Sequence, residues 1–245
     1  MKLKNLISGL FLMLFIFSVQ VVSAQKYKIL VFSKTAGFHH ESIAAGIPAI
    51  QKLGTENGFA VDVTLDSTRF TSANLKQYAA VVFLNTTGNV LSESQQTAFE
   101  QYIKAGGGFV GVHSATDTEY DWPWYGKLVG AYFLKHPEQQ EATLHIKDRK
   151  SIATRHLPAT WVRKDEWYNF KNINPDLKVL ITLDESTYKG GSNGDFHPMA
   201  WYHDYDGGRA FYTGLGHVDA SYTDPLFLRH LLGGIQYAAG QKHMK

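Results

Sequence analysis

The sequence predicts an α/β fold: a flavodoxin-like three-layer sandwich with a mostly parallel sheet and an antiparallel hairpin extension. Three observations carry this expectation. Apolar runs bounded by polar residues recur at 28–33 (KILVFS), 79–85 and 109–113, the pattern of strands buried on both faces. Helical segments with start and stop signals separate them, which argues for parallel strands joined by crossovers. Asp206-Gly207-Gly208 lies between two strand-like runs, a strong hairpin signal.

Taken in order, 28–33 is the first strand, and 34–41 is a loop carrying Gly37-Phe38-His39-His40-Glu41. A helix fits 42–57, stopped by Gly58. Residues 61–66 (VDVTLD) alternate as a second strand, and 79–85 (AAVVFLN) form a third. Ser92-Glu93-Ser94-Gln95 has the chemistry of a capping box and opens a helix that stops at Gly106. Residues 109–113 are the fourth strand. Further strands are expected at 142–147 and 179–183, the hairpin pairs 200–205 with 209–215, and an amphipathic helix over 226–239 closes the chain. No repeat, low-complexity tract or linker interrupts residues 25–245, which read as a single domain.

The stretch from Gly106 to Asp117 (GGGFVGVHSATD) reads as a glycine-rich turn, a buried strand and a sharp exit that displays His113 and Ser114. A strand followed by a tight small-residue turn exposes a reactive side chain at the carboxyl edge of a sheet. The chain has no cysteine, so thiol catalysis and disulfides are both excluded. Chemistry must run on imidazole, carboxylate, hydroxyl or a metal.

Lys2 and Lys4, the apolar run 6–22 and the small residues before Gln25 predict a signal peptide over 1–24, cleaved near Ala24. Ser8, Gly9, Ser18 and Gln20 break the apolar run, which argues against a stable membrane anchor. The mature chain is expected in a periplasm or outside the cell. Cleavage removes two lysines and no acid, so the 24 Lys and Arg fall to a number that matches the 22 Asp and Glu. That balance gives no footing for nucleic acid as a partner.

In a doubly wound sheet, ligands bind beyond the carboxyl ends of the strands. His39, His113 and His217 each leave a predicted strand end beside glycine, and His136 follows an aromatic run. With a carboxylate, His39, His113, His136 and His217 form a donor set suited to zinc or another divalent ion. The spacings match no His-Glu-x-x-His or His-x-His signature. His40, His145, His156, His230 and His243 lack such context and read as surface or helix residues. Asp165 and Glu166 are adjacent in an extended loop, so one of the two faces a cleft. Trp122, Trp124, Trp167 and Trp201 suit either a core or stacking against a sugar ring.

These positions carry a family resemblance. Gly37-Phe38-His39, Gln95, Tyr102, Gly106-Gly107-Gly108, Gly111-Val112-His113, Tyr125, Leu128-Val129-Gly130-Ala131-Tyr132-Phe133, His136, Asp165-Glu166-Trp167-Tyr168, Pro198-Met199-Ala200-Trp201, Gly208-Arg209-Ala210-Phe211-Tyr212 and Gly214-Leu215-Gly216-His217 together resemble the trehalose-utilisation (ThuA-like) family. The resemblance implies a class I glutamine-amidotransferase-like fold that has lost its cysteine; His113 falls where that nucleophile would stand, and Ala115 replaces a glycine. It also implies catabolism of trehalose and related glycosides through 3-keto-sugars.

A ketone at sugar C3 acidifies the C2 hydrogen, and the enolate expels the group at C1. Such a site needs a base, an oxyanion stabiliser and an acid. On this reading His113 and Glu166 are the acid/base pair, and Arg209 or a metal stabilises the oxyanion. His39, His217, Tyr168, Trp201 and Trp124 contact the sugar. The ligand is a small sugar or keto-sugar, and a sugar dehydrogenase would supply the ketone; self-association is left open by the sequence. The alternative is a carbohydrate-binding protein without catalysis, since a fold that loses its nucleophile can persist as a binder.

Overall fold

Nine strands of the computed structural model form one mixed sheet, in the order β2-β1-β3-β4-β11-β10-β9-β6-β7; the model describes residues 26–245. The strands are β1 (Lys28–Phe32), β2 (Ala60–Thr64), β3 (Ala80–Leu84), β4 (Gly108–Val112), β5 (Tyr132–Lys135), β6 (Gln140–Ile146), β7 (Thr160–Asp165), β8 (Asn169–Lys171), β9 (Lys178–Asp184), β10 (Pro198–Tyr205) and β11 (Gly208–Thr213). The helices are α1 (Ile43–Asn57), α2 (Ser72–Leu75), α3 (Glu93–Lys104), α4 (Pro123–Val129) and α5 (Pro225–Ala238). The expected signal segment lies outside the described residues. Among those described, no helix is long and apolar enough to cross a membrane.

The first half follows the sequence expectation closely. Strands β3 and β4 are buried throughout, and β1 is buried but for Lys28, as parallel strands covered on both faces must be. Helix α1 ends on Gly58, whose left-handed φ of 75° costs a glycine little. At the start of α3, Gln95 Oε1 accepts the Ser92 backbone N–H at 2.9 Å. Gly108 allows the closest approach in the sheet: a Cβ there would lie 2.1 Å from the Ala238 carbonyl oxygen of α5.

The fold class expected from the sequence is the one observed, with one difference in detail. β11 pairs parallel with β4 and antiparallel with β10, so the hairpin joins the two halves of the sheet. Beyond it β10, β9, β6 and β7 pair antiparallel throughout. β5 and β8 form a separate two-stranded ribbon. Strands β5, β7 and β8 and helices α2 and α4 have no counterpart in the sequence expectation, because each is short or mixes exposed with buried positions.

The antiparallel half is curled. β7 lies four places from β11, about 19 Å across a flat sheet. Yet Asp165, at the end of β7, accepts hydrogen bonds from the backbone N–H groups of Gly216 and His217, just past β11, both at 3.2 Å. The curl folds one edge of the sheet over the carboxyl ends of β4 and β11, and the candidate site lies between them.

Candidate functional site

β4 and β11 are parallel neighbours with Val112 opposite Thr213, so their continuations emerge side by side. His113 follows β4 directly with φ of 48°, a left-handed conformation unusual for a bulky residue and typical of functional turns. Its carbonyl accepts the Tyr212 hydroxyl at 2.7 Å, and its Nδ1 donates to the Gly214 carbonyl at 3.0 Å. A carbonyl only accepts, so Nδ1 carries the proton and neutral His113 turns a lone pair on Nε2 into the site.

Three further donors meet that lone pair. His217 Nδ1 is 3.1 Å from His113 Nε2, Glu166 Oε2 is 3.3 Å from the same nitrogen, and Glu166 Oε2 is 3.1 Å from His217 Nδ1. His40 completes the set: donor atoms of His40, His113, Glu166 and His217 all lie within 4.8 Å of one another. Its ring packs edge-on against those of His113 and His217. Its Nδ1 lies 3.3 Å from Ser114 Oγ, which leaves Nε2 as the nitrogen for an ion.

The turn that carries His217 is held tightly. Gly216 has φ of 110°, and a Cβ there would sit 2.9 Å from the Tyr222 hydroxyl, so glycine is required. Its carbonyl accepts from Ser42 Oγ, Tyr222 Oη and Asn85 Nδ2 at 3.1, 3.1 and 3.3 Å. Its N–H and that of His217 are the groups taken by Asp165. Fully buried Asp165 is paired in turn with Arg163 at 3.3 Å. Of the adjacent carboxylates, Glu166 is the one facing the cleft.

The donor set fits a divalent metal. A tetrahedral ion with ligands at about 2.0–2.2 Å holds donor atoms roughly 3.3–3.6 Å apart, close to the 3.1–3.3 Å spacings among His113, His217 and Glu166. Imidazole with one carboxylate suits zinc, iron, nickel or copper. Burial and the neighbouring His113 and His217 hold His40 far below the ordinary imidazole range, hence neutral and able to bind an ion. Burial alone would raise the Glu166 carboxyl, but the neighbouring His113 and His217 rings outweigh it and hold the group below the usual carboxylate range. Outer partners are also in place, with Gly214 O on His113, Ser114 on His40 and Gln139 on His217 at 2.8 Å.

Beside the cluster lies a cavity of about 260 Å³ lined by Phe38, His40, Asp117, Phe133, His136, Glu166 and Tyr168. Tyr168 is buried, with its ring 4.3 Å from His113 and 4.2 Å from Phe133. Phe38 is 66% exposed at the mouth and packs edge-on against His40. Aromatic faces beside polar groups suit a sugar ring. A larger cleft of about 820 Å³ lies elsewhere, between α4 and the strands β9 and β10, and includes none of the four donors.

The residues expected from sequence divide between this site and other places. His113, Glu166, His217 and Tyr168 converge, and His136 reaches the other Glu166 oxygen, with Nδ1 3.2 Å from Oε1, outside the four-donor set. His39 is exposed and contacts Thr35 instead, so it leaves the expected ligand set and its neighbour His40 takes the place. Trp201 is fully buried, its indole bonded to the Val129 carbonyl and stacked on Tyr212, so it belongs to the core. Arg209 faces the opposite edge of the sheet: it pairs with Gly108 at the start of β4 and binds the carbonyls of Ala238 and Gly106. That placement removes it as an oxyanion stabiliser. Trp124 binds Asp206 in the β10–β11 turn at that same far edge and cannot touch a sugar beside His113.

His40, expected from sequence at the surface or on a helix, is instead buried in the cluster, and Phe38, Phe133 and Gln139 carried no site role in the sequence reading. His197 was also missed: buried, with Nε2 on the Tyr168 carbonyl and Nδ1 on Glu185, both at 2.8 Å, it fixes the backbone that carries Tyr168. Adjacency of His39 and His40 in a strand-end loop was the available signal for His40. It does not say which ring turns inward.

A family model described as trehalose utilisation (ThuA) matches residues 28–238. A ThuA-like protein from Bacteroides uniformis ATCC 8492 superposes with a TM-score of 0.75 at 26% identity, covering 91% of this chain and 95% of that one. A second, from Parabacteroides merdae ATCC 43184, gives 0.74 at 23% identity, covering 89% and 92%. A β-galactosidase from Bacillus circulans sp. alkalophilus shares the fold at a TM-score of 0.58 and 12% identity, over 90% of this chain and 32% of its own. No curated protein matches the sequence.

Proposed function

Because the chain belongs to the trehalose-utilisation (ThuA) family, we propose that it is a carbohydrate-catabolic enzyme that cleaves glycosides carrying a ketone on the sugar ring. The observation that carries this reading is the buried cluster of His40, His113, His217 and Glu166 opening on a cavity walled by Phe38, Phe133 and Tyr168. The aromatic rings would take the apolar face of the sugar and align its carbonyl with the cluster. Divalent metal bound there would supply Lewis-acid stabilisation of an oxygen anion, the role for which Arg209 is too distant.

His113 and Glu166 then act mainly as ligands. Their remaining atoms are committed, Nδ1 to Gly214 and Oε1 to His136. Acid/base work passes to side chains on the cavity wall. The cysteine-free chain acts in a periplasm or outside the cell after its signal peptide is removed, on a small sugar whose ketone a dehydrogenase introduces.

The test is to incubate the mature chain with trehalose and with 3-keto-trehalose, metal-stripped and then with zinc, manganese or nickel. Glucose release from the keto-sugar alone, dependent on the ion, is the expected result. Binding of either sugar without release would point to a carbohydrate-binding protein and overturn the enzymatic reading.

A further inference from the structure

We propose that Asp117 is the proton-transferring group of this site, taking the proton from the carbon beside the keto group and passing it to the leaving alcohol. The assignment rests on the keto-glycoside reading. Two carboxylates line the cavity, and they differ in how they are held. Glu166 is tied through both oxygens to His113, His217 and His136. Asp117 Oδ1 accepts the Tyr120 hydroxyl at 2.6 Å, and among the described residues no hydrogen bond engages Oδ2.

Tyr120 lets this carboxyl exist in either protonation state. Its hydroxyl lies 2.6 Å from Asp117 Oδ1 and 3.2 Å from the Phe133 carbonyl. When Asp117 is ionised, the hydroxyl donates to it. When Asp117 is protonated, the hydroxyl can turn to Phe133 O and accept the Asp117 proton on its own oxygen. A purely structural carboxylate has no use for a partner that satisfies both states.

Asp117 is also placed by the segment that places a ligand, since it ends the short helical turn His113–Asp117 begun by His113. Around it stand Tyr120, His113, His136 and Lys171, with Tyr168 and Tyr212 behind. Burial pushes its carboxyl above the usual range, and the Tyr120 hydrogen bond and the Lys171 charge offset only part of this. Such a shift toward neutrality suits a group that must both take and give a proton.

The step balances as an elimination. Ionised Asp117 removes the hydrogen from C2, and the C–H electron pair forms an enolate with the C3 ketone. That pair then forms the C1–C2 double bond as the bond from C1 to the aglycone oxygen breaks. The departing oxygen takes the proton from Asp117, giving an alcohol, an unsaturated keto-sugar and the original carboxylate.

The experiment uses Asp117→Asn and Tyr120→Phe in the full mature chain, with two readouts. With 3-keto-trehalose, Asp117→Asn is expected to lower kcat for glucose release about 10²–10⁴-fold with metal content and KM close to wild type. Tyr120→Phe removes a bond that favours the ionised form, so the acid limb of its pH profile should move to higher pH. Without any substrate, infrared difference spectra should show a protonated-carboxyl band, abolished by Asp117→Asn, that persists above the pH range in which an unperturbed aspartate ionises. Asp117→Asn turning over within threefold of wild type would overturn the proposal, as would absence of the band. Should the wild type leave keto-trehalose intact while the band is present, the keto-glycoside reading falls and Asp117 stands as the proton carrier for a different carbonyl substrate.

Discussion

Asp165 and Glu166 are adjacent in the chain and hold the same histidine from two sides. The Asp165 carboxylate accepts the backbone N–H of His217 at 3.2 Å, while Glu166 Oε2 meets its ring Nδ1 at 3.1 Å. One carboxylate fixes where the histidine stands, and the other fixes where it points. Alternation along an extended segment puts the first into the protein and the second into the cleft.

Asp165→Asn tests the positioning half of this arrangement. The change leaves half-buried Arg163 without its neighbour's charge and weakens the hold on two backbone N–H groups. Removing one partner of a buried pair costs about 3–5 kcal/mol; Arg163 keeps a weaker bond to Asp224 at 3.4 Å, so about 3 kcal/mol is expected here. Urea unfolding measures it, and a loss under about 1 kcal/mol would show that Asp165 does not anchor the turn.

Metal affinity should respond to Gln139, which touches no proposed ligand atom. Its side-chain nitrogen faces His217 Nε2 at 2.8 Å, an arrangement that leaves the His217 proton on Nδ1. To free Nδ1 for an ion, the amide must turn its oxygen to a proton on Nε2. Gln139→Ala should therefore weaken zinc binding about 10–100-fold, while His113→Ala should abolish stoichiometric uptake. Competition against a chromogenic chelator reads both, and equal affinity in Gln139→Ala would remove that residue from the site.

Acid stability should carry the mark of His230, far from the site. Its ring is buried against Phe211 and Phe227, with Nδ1 on the Ala153 carbonyl at 2.9 Å and, among the described residues, no partner for Nε2. Burial lowers its pKa from 6.5 to about 3. Above pH 6.5 the ring is neutral whether folded or not, and nothing is lost. As pH falls below that value the unfolded chain binds a proton the folded chain refuses, so stability drops by about 1.4 kcal/mol per pH unit down to about pH 3. His156, His197 and His203 are lowered in the same direction and share this limb. His230→Asn keeps a donor for Ala153 and should flatten the acid limb by one proton, at a neutral-pH cost of about 1–3 kcal/mol for the cavity. An unchanged slope in urea titrations across pH would count against it.

The parallel half of the fold was legible because its strands are wholly buried and its helices carry explicit signals at Ser92, Gln95 and Gly58. β7 was hidden, since Val162 and Lys164 face outward and the strand's apolar content is low. Histidines after β4 and β11 were legible for a topological reason, as both leave the same edge of a parallel sheet. Trp201, Arg209 and Trp124 misled because composition shows that a residue suits a sugar and says nothing of which edge it occupies. Arg209 lies at the start of β11, second after Gly208, while His217 follows its end, so a motif that reads as one block in sequence spans the full depth of the sheet.

The four donors stand at positions 40, 113, 166 and 217, on segments from both halves of the curled sheet. No fragment of the chain and no half-formed intermediate holds them all, because closing these long loops requires the entire architecture to be in place. An ion that recognises only the assembled set adds its binding free energy to the native state alone. Occupancy of the site would thus be a measure of complete folding, gained only in the last step by which the chain matures.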